Sequence, residues 1–462
     1  MTENKNIPKH WQVKRLEDLL SYVIGGDWGK DVTFPDESYD FAYCIRGSEI
    51  KNWEENKGNT ASLRKVKKSN IIKRQLKVGD ILVEISGGGP EQPVGRTVLI
   101  DQSVLLYKPE ISKICTNFLR LLRPDDFIDS RFLNLFLKFF YLSGEIVKYQ
   151  AGSNNLRNLK FQDYLRIYIP IPPLPEQQAI VSKIEELFSE LDNGKQQLIT
   201  AQQQLKVYRQ SLLKAAFEGK LTAAWRKAQK LKGEVTLAMA ADPEVTYLRN
   251  GELPEGWKLT AMNNLIEKPQ YGTSKKCDYE TNGVGVLRIP NISDGYIDST
   301  DLKFAKFDDA EIETYRLKVG DILIIRSNGS VDLVGKSALI NQHQEKYLFA
   351  GYLIKLRPRQ KFVLPKYLLH VLSSNILRNQ IEGKAKSTSG VNNINSEELK
   401  SLIIPICSLE EQQLIIDELE SKLTVCDKIE ETIAQSLQQA ETLRQSILKR
   451  AFEGKLVNFN EL

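Results

Sequence analysis

Few residues in this 462-residue chain have the types and spacing that catalysis needs. The tetrapeptide Val334-Gly-Lys-Ser337 ends like a phosphate-binding loop, but that motif requires a glycine where Ser330 stands. The apolar run after it is typical of a strand, whereas a phosphate loop must precede a helix. The three histidines are far apart, and the five cysteines show no Cys-x-x-Cys spacing, which argues for a reducing compartment. We predict no catalytic residue and no metal ligand in this chain.

The elements that could position other side chains occur twice. Leu174-Pro-Glu-Gln-Gln178 opens a long helical segment and recurs as Leu409-Glu-Glu-Gln-Gln413. Each segment closes on Ala-Phe-Glu-Gly-Lys-Leu, and both copies have the same length. Proline near the start and glycine near the end are typical helix boundaries. The repeat therefore predicts two long helices, each following a globular domain.

The repeat extends into the globular parts. The stretch 76–82, Leu-Lys-Val-Gly-Asp-Ile-Leu, is identical to 317–323, and its aspartates, Asp80 and Asp321, are expected to form tight turns before strands. Cys44-Ile-Arg-Gly-Ser-Glu-Ile50 corresponds to Val286-Leu-Arg-Ile-Pro-Asn-Ile292. Between such landmarks the residues differ widely, as two readers of different targets would require. Ordinary drift after duplication is the alternative.

The helical segments carry apolar residues in alternating steps of four and three, the pattern of a coiled-coil seam. A globular domain lies between them in sequence, so antiparallel pairing is favoured. The predicted seam consists of Ile180, Ile184, Leu187, Leu191, Leu198, Leu205, Leu212, Ile415, Leu419, Ile429, Ile433, Leu443 and Ile447. Two separate helices, each packed on its own domain, are the alternative.

We predict an α+β protein, with two globular mixed α/β domains separated by two long antiparallel coiled-coil helices in a pseudo-twofold internal repeat. The expected segments are a first domain at 1–173, a spacer helix at 174–221, a linker at 222–252, a second domain at 253–408, a second spacer helix at 409–457 and a C-terminal tail at 458–462. The net charge is +5, and its surplus lies in the globular domains. Such a surplus favours contact with phosphates, although a solvated surface would look the same.

This combination resembles the specificity subunit of type I restriction–modification systems. The likeness is carried by the duplicated Val-Gly-Asp-Ile-Leu stretch, the Leu-x-Glu-Gln-Gln openings and the Ala-Phe-Glu-Gly-Lys-Leu endings, and it covers Pro8 to Val457. The resemblance implies two target-recognition domains, each reading one half of a bipartite, asymmetric double-stranded DNA site, with helices that set the gap and dock the methyltransferase subunits. It also implies two methyltransferase subunits that bind S-adenosylmethionine, and two restriction/translocase subunits that use ATP and Mg²⁺. This chain itself would bind no cofactor and no membrane, and would work in the cytoplasm of a bacterium or archaeon.

Polar and basic residues at matched loop positions are the candidates for DNA contacts. In the first domain they are Arg46, Arg64, Lys65, Lys67, Lys68, Arg74, Ser86, Gln92, Arg96, Ser153, Asn154, Asn155, Arg157 and Asn158. In the second domain they are Lys275, Lys276, Arg288, Asn291, Arg326, Asn328, Ser330, Lys336, Ser387, Ser389, Asn392 and Asn393. Two other readings stay open: a recognition module of another DNA-modification or defence system, and a coiled-coil scaffold with no role in DNA binding.

Overall fold

The computed structural model describes residues 7–89, 92–152, 157–232, 253–385 and 391–457. The chain forms two compact units, one made of Met1–Leu198 with Ala434–Leu462 and the other of Ile199–Ile433. Each unit contains one globular domain together with part of both long helices. Within the described ranges, no helix has the length and apolar character needed to cross a membrane.

The first unit is built on two sheets. A four-stranded antiparallel sheet has the order β2-β9-β5-β7, and a three-stranded sheet has the order β4-β3-β8, in which β3 and β8 are parallel. The pair β1 and β12 and the small sheet β10-β11-β6 complete the domain. The strands are β1 (Gln12–Arg15), β2 (Leu20–Gly25), β3 (Tyr39–Ile45), β4 (Ser62–Lys67), β5 (Ile81–Glu84), β6 (Ser86–Gly88), β7 (Thr97–Leu99), β8 (Ser112–Cys115), β9 (Leu119–Pro124), β10 (Gln150–Ala151), β11 (Arg157–Leu159) and β12 (Tyr168–Ile171).

Short helices surround these sheets. The helices are α1 (Trp53–Asn56), α2 (Lys68–Arg74), α3 (Gln102–Leu106), α4 (Ser130–Leu142), α5 (Phe161–Tyr164) and the long α6 (Leu174–Phe217), with 3-10 turns at Leu16–Leu19, Gly47–Asn52 and Glu145–Tyr149. Helix α4 begins where Asp129 accepts hydrogen bonds from the backbone N–H groups of Arg131 and Phe132. Its buried side chains recur at helical spacing, so this apolar segment packs inside the first domain.

The second unit repeats this plan. Its four-stranded sheet has the order β14-β21-β17-β19, and its three-stranded sheet has the order β16-β15-β20 with β15 and β20 parallel. The pairs β13 with β23 and β18 with β22 match β1 with β12 and β6 with β11. The strands are β13 (Lys258–Ala261), β14 (Gln270–Tyr271), β15 (Val284–Leu287), β16 (Lys303–Ala305), β17 (Ile322–Ile325), β18 (Ser327–Asn328), β19 (Ser337–Leu339), β20 (Leu348–Phe349), β21 (Leu353–Leu356), β22 (Asn392–Asn393) and β23 (Ile403–Ile406).

The helices of this unit follow the same arrangement. They are α7 (Ala223–Lys232), α8 (Met262–Leu265), α9 (Asp309–Tyr315), α10 (Pro365–Ser373), α11 (Asn375–Lys384), α12 (Ser396–Lys400) and the long α13 (Leu409–Phe452), with 3-10 turns at Ile289–Asn291, Val331–Leu333 and Gln342–Gln344. The segment expected as a linker, 222–252, thus contains helix α7, and its residues 233–252 lie outside the described ranges. Strands β7 and β19 stand where a phosphate loop would need a helix.

The identical stretches 76–82 and 317–323 form the same turn before a central strand. Asp80 accepts a hydrogen bond from the backbone N–H of Lys77, and Asp321 accepts one from the backbone N–H of Lys318. Each buried carboxylate also receives two hydrogen bonds from one arginine, at 2.7 and 2.8 Å from Arg123 to Asp80. The turn function expected for both aspartates is therefore accompanied by a buried ion pair that ties two neighbouring strands together.

The repeated glutamates and glutamines fasten each long helix to a globular domain. Glu176 accepts a hydrogen bond from the indole N–H of Trp11 at 3.0 Å, and Glu411 accepts one from Trp257 at the same distance. The next residue, Gln412, accepts from the backbone N–H of Leu364 at 2.8 Å and donates to backbone carbonyls. Gln177 makes the equivalent contacts in the first unit. The Leu-x-Glu-Gln-Gln motif is thus a structural joint.

The helix ends use glycine for a close approach. Gly454 has a φ of +70°, and a Cβ added there would lie 2.3 Å from Cγ of Pro8. Gly219 has the same φ, and its added Cβ would lie 2.5 Å from Cγ of Pro254. A side chain at either position would be strained and would clash. In each unit, the end of one long helix therefore packs against the segment that enters the globular domain.

The long helices run antiparallel in the first unit, where Asp192 pairs with Arg444 and Lys195 pairs with Glu441. In the second unit, Arg209 of α6 pairs with Asp427 and Glu430 of α13. Most seam side chains are buried: Ile180, Ile184, Leu205, Leu212, Ile415, Leu419, Ile433 and Ile447. Leu187, Leu191 and Leu198 are half-buried.

The predicted seam does not hold for Ile429 and Leu443, whose side chains are 44% and 49% exposed. The half-buried positions are the next residues, Glu430 and Arg444, and the Arg444 guanidinium lies 4.3 Å from the centre of the Phe188 ring. At both places the inner face of α13 lies one residue after the predicted stripe, and α6 shows the same shift where Tyr208 is 49% exposed and Arg209 is half-buried. Polar side chains with partners on α6 occupy that face.

Candidate nucleic-acid interface

The basic run of the first domain lies on the edge strand β4 and on helix α2. Arg64 packs its guanidinium 4.6 Å from the centre of the Trp28 ring and lies 3.6 Å from Asp31. The ammonium of Lys65 lies 4.3 Å from the centre of the Phe41 ring. Lys67 and Lys68 are exposed. Cations with neighbouring aromatic rings on an exposed strand can contact phosphates and bases alike.

Three other arginines predicted in this domain have partners inside the fold. Arg96 donates two hydrogen bonds to the buried carboxylate of Glu84, at 2.6 and 2.9 Å, and these bonds raise the pKa of Arg96. Arg46 donates to the buried Glu49 at 2.8 Å. Arg74 donates to the carbonyl of Gly25 at 2.8 Å. These contacts hold the strands and turns in place, so each guanidinium has only its remaining donors for DNA.

The loop after β5 meets strand β11 at one edge of the first domain. The register places Ser86 opposite Asn158 and Arg157 opposite Gly88. Gln92 is exposed, and its amide faces the guanidinium of Arg96. Asn158 is exposed, whereas Arg157 and Ser86 are half-buried. The remaining candidates here, Ser153, Asn154 and Asn155, lie outside the described residues.

The second domain brings its predicted amides together at the corresponding edge. Strands β18 and β22 place Asn328 opposite Asn392, and the Asn392 amide donates to the carbonyl of Gly329 at 3.0 Å. Arg326 donates to the amide oxygen of Asn393 at 3.2 Å. Ser330 is exposed at the tip of the same loop. Ser387 and Ser389 lie outside the described residues.

A cleft of about 600 Å³ opens in the second domain. Three predicted residues line it, Lys275, Arg288 and Arg326, although they are far apart in sequence. Two further lining residues were missed from the sequence: Lys303 on β16 and Tyr352, which is 65% exposed. The sequence repeat did not point to Lys303, because the matching strand position in the first domain is occupied by the uncharged Ser62.

Asn291 is a correction to the predicted set, because it lies inside the fold with 1% of its surface exposed. Its amide oxygen accepts from the backbone N–H of Arg288, and its amide nitrogen donates to the carbonyls of Asp298 and Asp301. All of these bonds stabilise a turn, so no edge of this amide is left for a base. Lys336 instead pairs with the exposed Asp294 at 2.9 Å, and Lys276 is exposed.

Comparison with known proteins shows the family to which the chain is similar. A family model described as the type I restriction modification DNA specificity domain matches residues 8–201 and 254–439. The EcoKI specificity subunit of Escherichia coli (strain K12) is 30% identical over 456 residues, covering 97% of this chain and 90% of that protein. The StySPI specificity subunit of Salmonella potsdam is 27% identical over 452 residues, with the same coverage of both chains.

Solved structures show the same fold. The HsdS subunit from Thermoanaerobacter tengcongensis aligns with a TM-score of 0.55 at 19% identity, covering 98% of this chain and 100% of that one. A chain from a study of assembly and conformational transition of the type I R-M system aligns with a TM-score of 0.69 at 19% identity, covering 97% and 99% of the two chains. The family model matches both halves of the internal repeat, and this chain belongs to the type I restriction modification DNA specificity family.

Proposed function

We propose that this chain is the sequence-specific DNA-binding subunit of a type I restriction–modification complex, in which each globular domain reads one half of a bipartite, asymmetric site. One observation carries the proposal. The two domains share their sheets, their Asp–Arg turns and their joints to the long helices, yet differ in the polar side chains at matched loops. A common scaffold with different loops serves two different sequences.

The division of labour follows from the chemistry of DNA. Lysines and arginines neutralise phosphates and give affinity that falls with salt, whereas arginine, asparagine, glutamine and serine side chains distinguish base edges in the grooves. The exposed cations of β4 and α2 suit the first task. The amides near β18 and β22 and the residues near β6 and β11 lie at loop edges that suit the second.

Catalysis would take place in partner subunits. Two methyltransferase subunits would bind S-adenosylmethionine, draw the target adenine out of the stack and methylate it. Two restriction/translocase subunits would use ATP and Mg²⁺. The long helices of this chain would dock the methyltransferase subunits and set the gap between the half-sites, and the complex would work in the cytoplasm of a bacterium or archaeon.

The decisive experiment is to express this chain together with its cognate methyltransferase in a methylation-free host and to map modified adenines by single-molecule sequencing. The expected result is a two-part motif with a fixed internal gap. A soluble complex that binds DNA without modifying it would instead indicate a recognition module of another system. Absence of salt-dependent DNA binding would favour a coiled-coil scaffold.

A further inference from the structure

The cleft of the second domain is lined by four cationic side chains from four separate segments: Lys275, Arg288, Lys303 and Arg326. Among its lining residues in the described part of the chain, none carries a carboxylate. Arg288 and Lys275 each have one acidic partner beyond the lining, Asp301 at 3.2 Å and Glu311 at 2.6 Å. Lys303 and Arg326 form no ion pair within the described residues. The cleft therefore concentrates positive charge.

The first domain shows what a neutralised version of this position looks like. Arg46 corresponds to Arg288, and its Nε donates to the buried carboxylate of Glu49 at 2.8 Å. The residue that corresponds to Glu49 is Asn291, which accepts only from the backbone of Arg288. As a result, the Nε atom of Arg288 is buried and has no hydrogen-bond partner among the described residues. A buried donor left in this way costs free energy unless a ligand supplies an acceptor.

The shape of the site indicates which part of DNA would supply that acceptor. The sugar–phosphate backbone is the raised ridge of a duplex, while base edges lie on the floor of a groove. A concave cleft can surround a ridge, but it cannot reach a groove floor without a protruding element. Phosphate oxygens are also strong acceptors that match guanidinium and ammonium donors.

We propose that this cleft is a binding site for a backbone phosphate of the DNA, with Arg288 and Lys303 as its main ligands. The site deepens the DNA-binding function proposed above and rests on it. Lys303 is a residue that the sequence pattern did not identify. Cys277 lines the same cleft, near both Arg288 and Lys303, and its thiol provides a chemical reporter of occupancy.

The test uses the complete complex and a duplex that carries its methylated motif. Affinity is measured between about 50 and 200 mM salt for the wild type and for the variants Lys303→Gln and Arg288→Gln. The logarithm of the DNA association constant falls linearly with the logarithm of the salt concentration, and loss of one phosphate contact should reduce the magnitude of this slope by about one. At 0.1 M salt, the same relation corresponds to binding about eightfold weaker than wild type. The methylated motif should stay the same.

Two control variants remove a positive charge without touching the cleft. Lys306→Gln replaces an exposed lysine on the same segment as Lys303, and Lys346→Gln replaces an exposed lysine just before β20 in the same domain. Both should keep a slope within about half a unit of the wild type. Thermal unfolding of each variant identifies any that are misfolded. Independently of all variants, bound DNA should slow alkylation of Cys277 in the wild-type complex.

The outcomes separate this proposal from the general one. If the wild-type complex binds its DNA but both cleft variants keep the wild-type slope and Cys277 stays unprotected, the cleft is not a phosphate site. If Lys303→Gln or Arg288→Gln relaxes the methylated motif at one base pair instead, the cleft reads a base edge. If the wild-type complex binds no DNA, the proposed function itself fails.

Discussion

The carboxylate of Glu411 should be one of the largest single contributors to the stability of the second unit. It is 5% exposed and accepts hydrogen bonds from the indole of Trp257 at 3.0 Å, from the hydroxyl of Thr222 at 2.6 Å and from the guanidinium of Arg226. The change Glu411→Gln removes the negative charge while keeping the size of the side chain. It leaves Arg226, which is only 19% exposed, without its acidic partner.

The expected cost follows from these contacts. Removing one member of a buried ion pair costs about 3–5 kcal/mol, and the residual exposure of Arg226 places this case near 3 kcal/mol. In the first unit, Glu176 has the same contact with Trp11, but its other side-chain partner is His10, which is 56% exposed. Because His10 is exposed to water, its contact with Glu176 contributes little to stability. Glu176→Gln should therefore lower the free energy of unfolding by about 1–2 kcal/mol, mainly because the indole N–H of Trp11 is left unsatisfied.

The assay is unfolding in urea, monitored by hydrogen exchange that is measured separately for each peptide. This readout is needed because the two units need not unfold together. Peptides from the second unit should lose protection in Glu411→Gln, and peptides from the first unit should lose less protection in Glu176→Gln. Glu410→Gln, which changes an exposed neighbour, should stay within about 0.5 kcal/mol of the wild type. Equal behaviour of Glu411→Gln and Glu410→Gln would refute this account of the joint.

Three further predictions test other features. Inserting seven residues into each long helix adds about 10.5 Å to each helix, which is about three base-pair steps of 3.4 Å. The gap in the methylated motif should therefore lengthen while its half-sites stay the same. An unchanged gap would contradict a spacing role for the helices. A thiol reagent should modify Cys277 rapidly in the native protein and the four buried cysteines only after unfolding, and more than one fast thiol would contradict the burial seen here. Burial raises the pKa of the Cys44 and Cys115 thiols to about 12, from an ordinary value of 9.0. The stability that these neutral thiols contribute is complete below pH 9 and should fall by about 1.4 kcal/mol per pH unit per thiol as the pH rises towards 12; replacing both by alanine should flatten that decline.

Much of the fold could be predicted because the chain contains an internal repeat, so its two halves can be compared with each other. Landmarks that occur twice identified two domains of one plan and two long helices. The inner face of the long helices could not be predicted from the apolar residues alone, because polar side chains with partners on the other helix also lie on that face. Ile429 and Leu443 fit the expected stripe, but Arg209 and Asp192 attract Glu430 and Arg444 to the inner face instead.

The candidate site was harder to predict, since exposure and partners depend on contacts between distant segments. Asn291 fits a DNA-contacting loop in sequence, yet its amide completes a buried turn. Lys303 looks like an ordinary strand lysine until β16 is seen to line the cleft. Matched positions in the repeat were the useful signal, because they showed where a carboxylate in one domain is absent from the other.

That comparison also separates structural arginines from those available to a ligand. Asp80 with Arg123 and Asp321 with Arg357 form the same buried pair in both domains, at 2.7 Å or 2.8 Å for every bond. Because both domains contain this pair, it stabilises the shared scaffold and cannot distinguish one DNA target from the other. Arg288 differs from its counterpart Arg46 because Asn291 stands where the first domain has the buried Glu49, and the acidic partner that remains, Asp301, is half exposed. Because a specificity protein must keep its scaffold while changing its ligand, we expect residues that read or hold DNA to be found at those matched positions where an internal partner occurs in only one copy.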